Sequence, residues 1–107
     1  MKDCIFCKIA SKETPVTIEA ESENVIAFKN IAPVADTHIL IIPKKHVATF
    51  LDLANENLIQ EMSLLVTKLI TDKKLESGYK LVFNGGKYQH VSHVHWHLLG
   101  GEMKDNL

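Results

Sequence analysis

Apolar residues follow two different periods along the chain. From residue 16 to 42 they occur in short alternating or continuous runs, the pattern of strands. Strands are predicted over 16–20, 25–28 and 37–42, the last ended by Pro43. Glu21-Ser22-Glu23-Asn24 reads as a hairpin connection, and 30–36 as a loop around Pro33. Beyond His46 the period changes. Leu58, Ile59, Met62, Leu65, Val66, Leu69 and Ile70 recur at three- and four-residue steps, the stripe of one amphipathic helix. Asp52 or Asn55 is the expected N-cap, Lys73-Lys74 suit the helix dipole near its end, and Ser77-Gly78 breaks it. Strand patterning then returns over 79–84 and 91–99, with Gly85-Gly86 between as a turn. Strands, one long helix and two more strands predict an α+β fold, an antiparallel five-stranded sheet with the helix on one face.

With 107 residues the expectation is one domain, 1–107. The 46% apolar and 23% charged content is that of a soluble globular protein. A net charge of −1 gives no electrostatic case for nucleic acid as a partner. All twelve basic residues are lysine. A phosphate site in this chain must therefore use histidine, backbone N–H, hydroxyls or lysine, without guanidinium forks. The run Ile39-Leu40-Ile41-Ile42 is too short to span a membrane, and no export signal stands at the N-terminus. The two cysteines are too close together to staple a fold, so the expected setting is the reducing cytoplasm.

The chemistry gathers at His93-Val94-His95-Trp96-His97. On a strand, alternate side chains share a face. The three histidines would then face one way, and Val94, Trp96 and Leu98 would enter the core. At ~3.3 Å per residue, His93 and His97 stand about 13 Å apart at Cα, too far to meet at one atom. This favours His95 as a central nucleophile with a helper on each side. His38 also points from a buried-looking strand, on the face of Leu40 and Ile42. Gly85-Gly86 is as consistent with a plain turn as with a phosphate cradle. Cys4-x-x-Cys7 alone is open between a redox pair, half of a zinc site and two reduced thiols. The His-x-His spacing also admits a catalytic zinc hydrolase, which would need metal for activity.

His-Val-His-Trp-His-Leu-Leu resembles the motif of the histidine triad (HIT) nucleotide-binding family. Cys4-Ile-Phe-Cys7-Lys-Ile and Thr37-His38-Ile-Leu-Ile-Ile-Pro43-Lys-Lys-His46 are similar to that family's N-terminal and strand signatures. The Leu98-Leu99-Gly100-Gly101 ending is most like its Hint-like branch. The resemblance implies a HIT-like fold with a short N-terminal helical segment and two sheets joined across a homodimer. It implies hydrolysis of purine nucleoside 5′-phosphoramidates, AMP or GMP joined through nitrogen to an amine. His95 would be the nucleophile that is transiently nucleotidylated, and His97 would contact the phosphate and support the leaving group. His93 and His38 would orient the site. Ile5, Phe6 and Ile31 would wall the purine, with Asn84 beside the phosphate and Asn30 and Gln89-His90 completing the nucleotide site. No cofactor is required for catalysis, but Cys4, Cys7, His46 and His93 match a structural zinc set. The alternatives are a dinucleoside polyphosphate hydrolase, or a nucleotide- or partner-binding module with incidental catalysis. Two departures bear on the choice. Asn30 stands where the pattern has an aspartate facing ribose hydroxyls, and the 84–93 segment is two residues short, with His90 replacing a serine.

Overall fold

The computed structural model describes residues 3–104; the two ends of the expected 1–107 domain lie outside the described residues. It contains α1 (Ile5–Ala10), β1 (Ile18–Glu21), β2 (Val25–Lys29), β3 (Ala35–Pro43), α2 (Phe50–Asn55), α3 (Ile59–Asp72), β4 (Lys80–Val82) and β5 (Trp96–Met103), with a 3₁₀ turn at Gly86–Tyr88. The strands form one antiparallel sheet in the order β1-β2-β3-β5-β4. The expected α+β class and the short N-terminal helix are both present.

Side-chain alternation divides the core into two layers. Val25, Ala27, Ile39, Ile41, Val94, Trp96 and Leu98 pack against Met62, Leu65, Val66 and Leu69 of α3. On the other face, Ile26, Phe28, Leu40 and Ile42 pack against Phe6 and Ile9 of α1. Leu98 is fully buried at the centre of the helix-side layer. Its replacement by alanine should cost about 2–5 kcal/mol, read as a lower denaturant midpoint with an unchanged slope.

The single predicted helix is two. Asn57 takes a left-handed φ of 57°, which ends one helix before the next begins. The first is capped by Thr49, whose Oγ1 accepts from the N–H of Asp52, in place of either expected residue. The second stops at Asp72, before Ser77-Gly78, and Lys74 at φ 58° turns the chain away. Lys73 there pairs with the carboxylate of Glu19 on β1.

The last strand is displaced relative to its prediction. Pairing of β5 to β3 starts at Trp96, opposite Ile41, and runs on to Met103 opposite Ala35. Upstream, the Pro43 carbonyl is taken by the ring of His93. His93 therefore precedes the strand instead of lying in it. Downstream, the register shifts opposite Asp36, where Gly101 has φ 76°. A Cβ there would lie 2.7 Å from the Asp36 side chain, whose Oδ2 accepts from Glu102 N–H.

Candidate active site

On the α1 side of the sheet a cavity of about 440 Å³ opens over β3 and β5. Its lining combines the apolar Phe6, Ile9, Phe28, Ile31 and Leu40 with the polar Asn84, His90, His95 and His97, and the Phe6 and His95 ring centroids are 5.0 Å apart. Of the predicted nucleotide residues, Ile5, Phe6, Asn30, Ile31, Asn84 and His90 line this one space. Gln89 does not line it. Its amide donates to the carbonyls of Ala48 and Val91, at 2.7 and 2.9 Å, and so ties down the loop that carries His90. Ile9, Phe28 and Leu40 line the cavity as well, beyond the residues that the sequence points to. Leu40 carried the only sequence signal, through the strand face it shares with His38.

Hydrogen bonds assign a proton to one nitrogen of each of three histidines. His95 Nδ1 lies 2.8 Å from the main-chain oxygen of His93. A carbonyl only accepts, so Nδ1 carries the hydrogen and the Nε2 lone pair is left free. His38 Nδ1 accepts from the Val34 N–H at 3.1 Å, which puts the His38 proton on Nε2. That proton is donated to His97 Nδ1 at 2.9 Å. Neutral His97 then bears its own proton on Nε2. The His95 and His97 ring centroids are 5.2 Å apart. The site therefore offers a bare imidazole nitrogen beside an imidazole N–H.

Burial keeps these rings uncharged. It lowers the pKa of His38 and of His95, and lowers His97 to about 4, helped there by the neighbouring His95 and His38. An unfolded histidine titrates near 6.5. Below that pH the unfolded chain takes up protons that folded His97 and His38 refuse, so stability falls with falling pH until the folded groups titrate as well. Urea midpoints should hold above pH 6.5 and decline steadily towards pH 4; a flat profile would show that these rings are not held neutral by the fold.

Behind the cavity lies a second cluster. Ligand atoms of Cys4, Cys7, His46 and His93 all fall within 4.8 Å of one another. Cys4 Sγ and Cys7 Sγ are 3.2 and 3.6 Å from His93 Nδ1, and Cys7 Sγ is 3.2 Å from His46 Nδ1. His93 Nε2–H is used on the Pro43 carbonyl, so its Nδ1 lone pair points into the cluster. The Cys4 and Cys7 sulfurs are brought near by α1, whose first turn Cys4 caps through Sγ. Two sulfurs and two imidazole nitrogens at these separations match the donor set and size of a tetrahedral zinc site. Burial, and then the Cys4 thiol, raise the pKa of Cys7, so an ionised Cys7 thiolate there calls for a cation.

A sheet that sets His95 and the hydrogen-bonded His38–His97 pair beside an apolar pocket has the arrangement of a histidine-triad domain. The HIT domain family pattern matches residues 11–104, and the chain belongs to the HIT family. A 14 kDa zinc-binding protein of Zea mays is 48% identical over 103 residues, covering 91% of this chain and 80% of the maize protein. The crystal structure of a HIT family hydrolase from Legionella pneumophila superposes with a TM-score of 0.87 at 45% identity, over 94% of this chain and 95% of that one. A histidine triad nucleotide-binding protein from Candida albicans gives 0.86 at 34% identity, over 98% and 80%.

Proposed function

We propose that this protein binds a purine nucleotide in the 440 Å³ cavity and hydrolyses its 5′-phosphoramidates through a nucleotidyl group on His95. The observation that carries this reading is the proton assignment: His95 Nε2 is bare while His97 Nε2 holds a hydrogen. The base lies between Ile5, Phe6 and Ile31, with Phe28 and Leu40 beneath. The phosphate lies against Asn84, His90, His95 and His97. His95 Nε2 forms a bond to phosphorus as the phosphorus–nitrogen bond breaks. The His38–His97 pair passes a proton from solvent to the departing nitrogen through His97 Nε2, and the water that later releases AMP or GMP returns one, so both rings are neutral before and after. Asn84 and His90 donate to the phosphate oxygens as charge builds on them.

The Legionella hydrolase, the Candida nucleotide-binding protein and the maize zinc-binding protein support the class of this reading. No lysine lines the cavity among the described residues, which favours one phosphate over a polyphosphate chain and places dinucleoside polyphosphates second. Zinc at Cys4, Cys7, His46 and His93 would supply a structural cross-link between α1 and the sheet. The 1–107 chain acts as one cytoplasmic domain, and no helix among the described residues is long and apolar enough to cross a membrane. A homodimer is part of the proposal, supported by the edge position of β4, the exposed Leu81 on it and the exposed Phe83 just after it.

Denaturing the protein at alkaline pH during turnover of adenosine 5′-phosphoramidate, followed by peptide mass analysis kept free of acid, should find one AMP on the His95 peptide. Turnover with no adduct at any time point would exclude the covalent route. Rates on diadenosine polyphosphate, measured in parallel, separate the two hydrolase readings.

A further inference from the structure

Asn84-Gly85 is the only asparagine–glycine step in the chain. Asparagine is a chemically labile residue, because the main-chain nitrogen that follows it can attack its side-chain carbonyl. A glycine presents that nitrogen with no Cβ to hinder the approach.

The fold leaves this step open while it holds the others. Asn84 and Gly85 lie between β4 and the 3₁₀ turn, outside the sheet ladder. The Asn84 amide makes no hydrogen bond among the described residues, and the Gly85 N–H has no acceptor among them. Gly85 is exposed, with no atom within 4 Å of where a Cβ would stand. The Asn24 amide, by contrast, donates to Glu61 at 3.0 Å, and Asn30 Oδ1 accepts from the Ala32 N–H at 2.9 Å. Both precede a β-branched residue, Val25 and Ile31, and Asn55 and Asn57 precede Glu56 and Leu58.

Asn84 also lines the catalytic cavity. We infer that Asn84-Gly85 is a self-modification site, through which the protein shuts down its own active site with age. The Gly85 nitrogen bonds to Asn84 Cγ, the Cγ–Nδ2 bond breaks, and Nδ2 leaves as ammonia with the Gly85 proton. Water then opens the cyclic imide at either carbonyl, giving aspartate or isoaspartate at position 84. Each product puts an ionised carboxylate where a neutral amide donor stood. No lysine lines the cavity among the described residues to offset that charge, and the chain has no arginine. The effect on turnover rests on the nucleotide reading above, since the new charge acts by repelling the substrate phosphate. A nucleotide seated against Asn84 restrains the amide, so occupied protein ages more slowly than idle protein.

The test incubates the natural protein and Gly85→Ala at neutral pH and divides each sample between peptide mass analysis and a turnover assay. Gly85 has extended backbone, φ −129° and ψ 161°, so alanine fits there without strain. In the natural protein Asn84 should convert ahead of Asn24, Asn30, Asn55 and Asn57, and turnover should fall in step with the remaining amide. Gly85→Ala should start at natural turnover and convert more slowly by about tenfold or more, because its Cβ hinders the attacking nitrogen. Asn84→Asp, which makes one product directly, should lose about tenfold or more of turnover. Natural protein in which Asn84 outlasts Asn24 overturns the inference, as does converted protein that keeps its turnover. The natural chain decides even if Gly85→Ala fails to fold. AMP should slow the conversion of Asn84. Conversion at an unchanged rate under saturating AMP would count against the nucleotide reading and leave the modification standing, so the two failures are distinguishable.

Discussion

Replacing His95 by alanine should lower turnover of adenosine 5′-phosphoramidate by about 10³-fold or more, the scale on which enzymes lose a covalent nucleophile. AMP should still bind. The reason lies in what the ring does in the resting protein. His95 makes one hydrogen bond, from Nδ1 to the His93 carbonyl, and none through Nε2 among the described residues. It is partly exposed to the cavity, so its removal enlarges a pocket without opening the core. The His38–His97 hydrogen bond does not involve it, although Phe6 and His97 each lose a ring neighbour. His97→Ala should behave differently. It leaves the nucleophile in place but strands the Nε2–H of His38, so turnover falls by about 10²- to 10⁴-fold, in proportion to how basic the leaving group is. A leaving group that needs no proton should largely restore the His97 variant and do nothing for the His95 variant. If His95→Ala retained even a tenth of natural turnover, the nucleophile would have to be sought elsewhere.

Much of this division of labour was legible in the chain. Alternation separated the histidines from Val94, Trp96 and Leu98, and those three do enter the helix-side core. The spacing argument, that the outer rings cannot share one atom, agrees with their placement: His93 turns to the cysteines while His97 turns to His38. Proton positions were not legible. They depend on carbonyls and N–H groups of Pro43, Val34 and His93 itself, which no side-chain pattern reports. The start of β5 was misplaced for a related reason, because the His93 ring takes the Pro43 carbonyl in place of a main-chain ladder bond. The helix break at Asn57 escaped because the apolar stripe includes Leu58 and Ile59 on the far side, while asparagine tolerates left-handed backbone. Gln89 illustrates a further limit. Its neighbour His90 faces the cavity, yet Gln89 itself spends its amide on two carbonyls, and only the path of the loop distinguishes them.

The second large effect concerns the cysteine–histidine cluster. Cys4→Ser should lose bound zinc, and the melting temperature should fall by about 15 °C or more. A ligand present at a thousand times its dissociation constant stabilises by about 4 kcal/mol, and 1 kcal/mol moves the melting point of a domain near this size by about 4–8 °C. Serine is the informative replacement because Cys4 has two roles. Its Sγ also accepts from the Cys7 N–H as the N-cap of α1, and a serine hydroxyl caps at least as well. Loss of stability in this variant therefore reports the missing metal ligand and not a frayed helix. Metal per chain, measured with the melting curve before and after a chelator, gives the direct check; a natural protein that holds no zinc and melts with Cys4→Ser would sink the assignment. The effect on catalysis should be far smaller, about tenfold to a hundredfold, as for groups that orient others from behind a site. His93 keeps its ring bond to Pro43 without any metal, and the carbonyl that holds His95 belongs to the main chain. A catalytic zinc reverses this ordering, since turnover would then vanish with the metal while the fold survived. Because the triad gives the cluster only His93 Nδ1, and His95 lines the cavity, stability and turnover should respond to chelation separately.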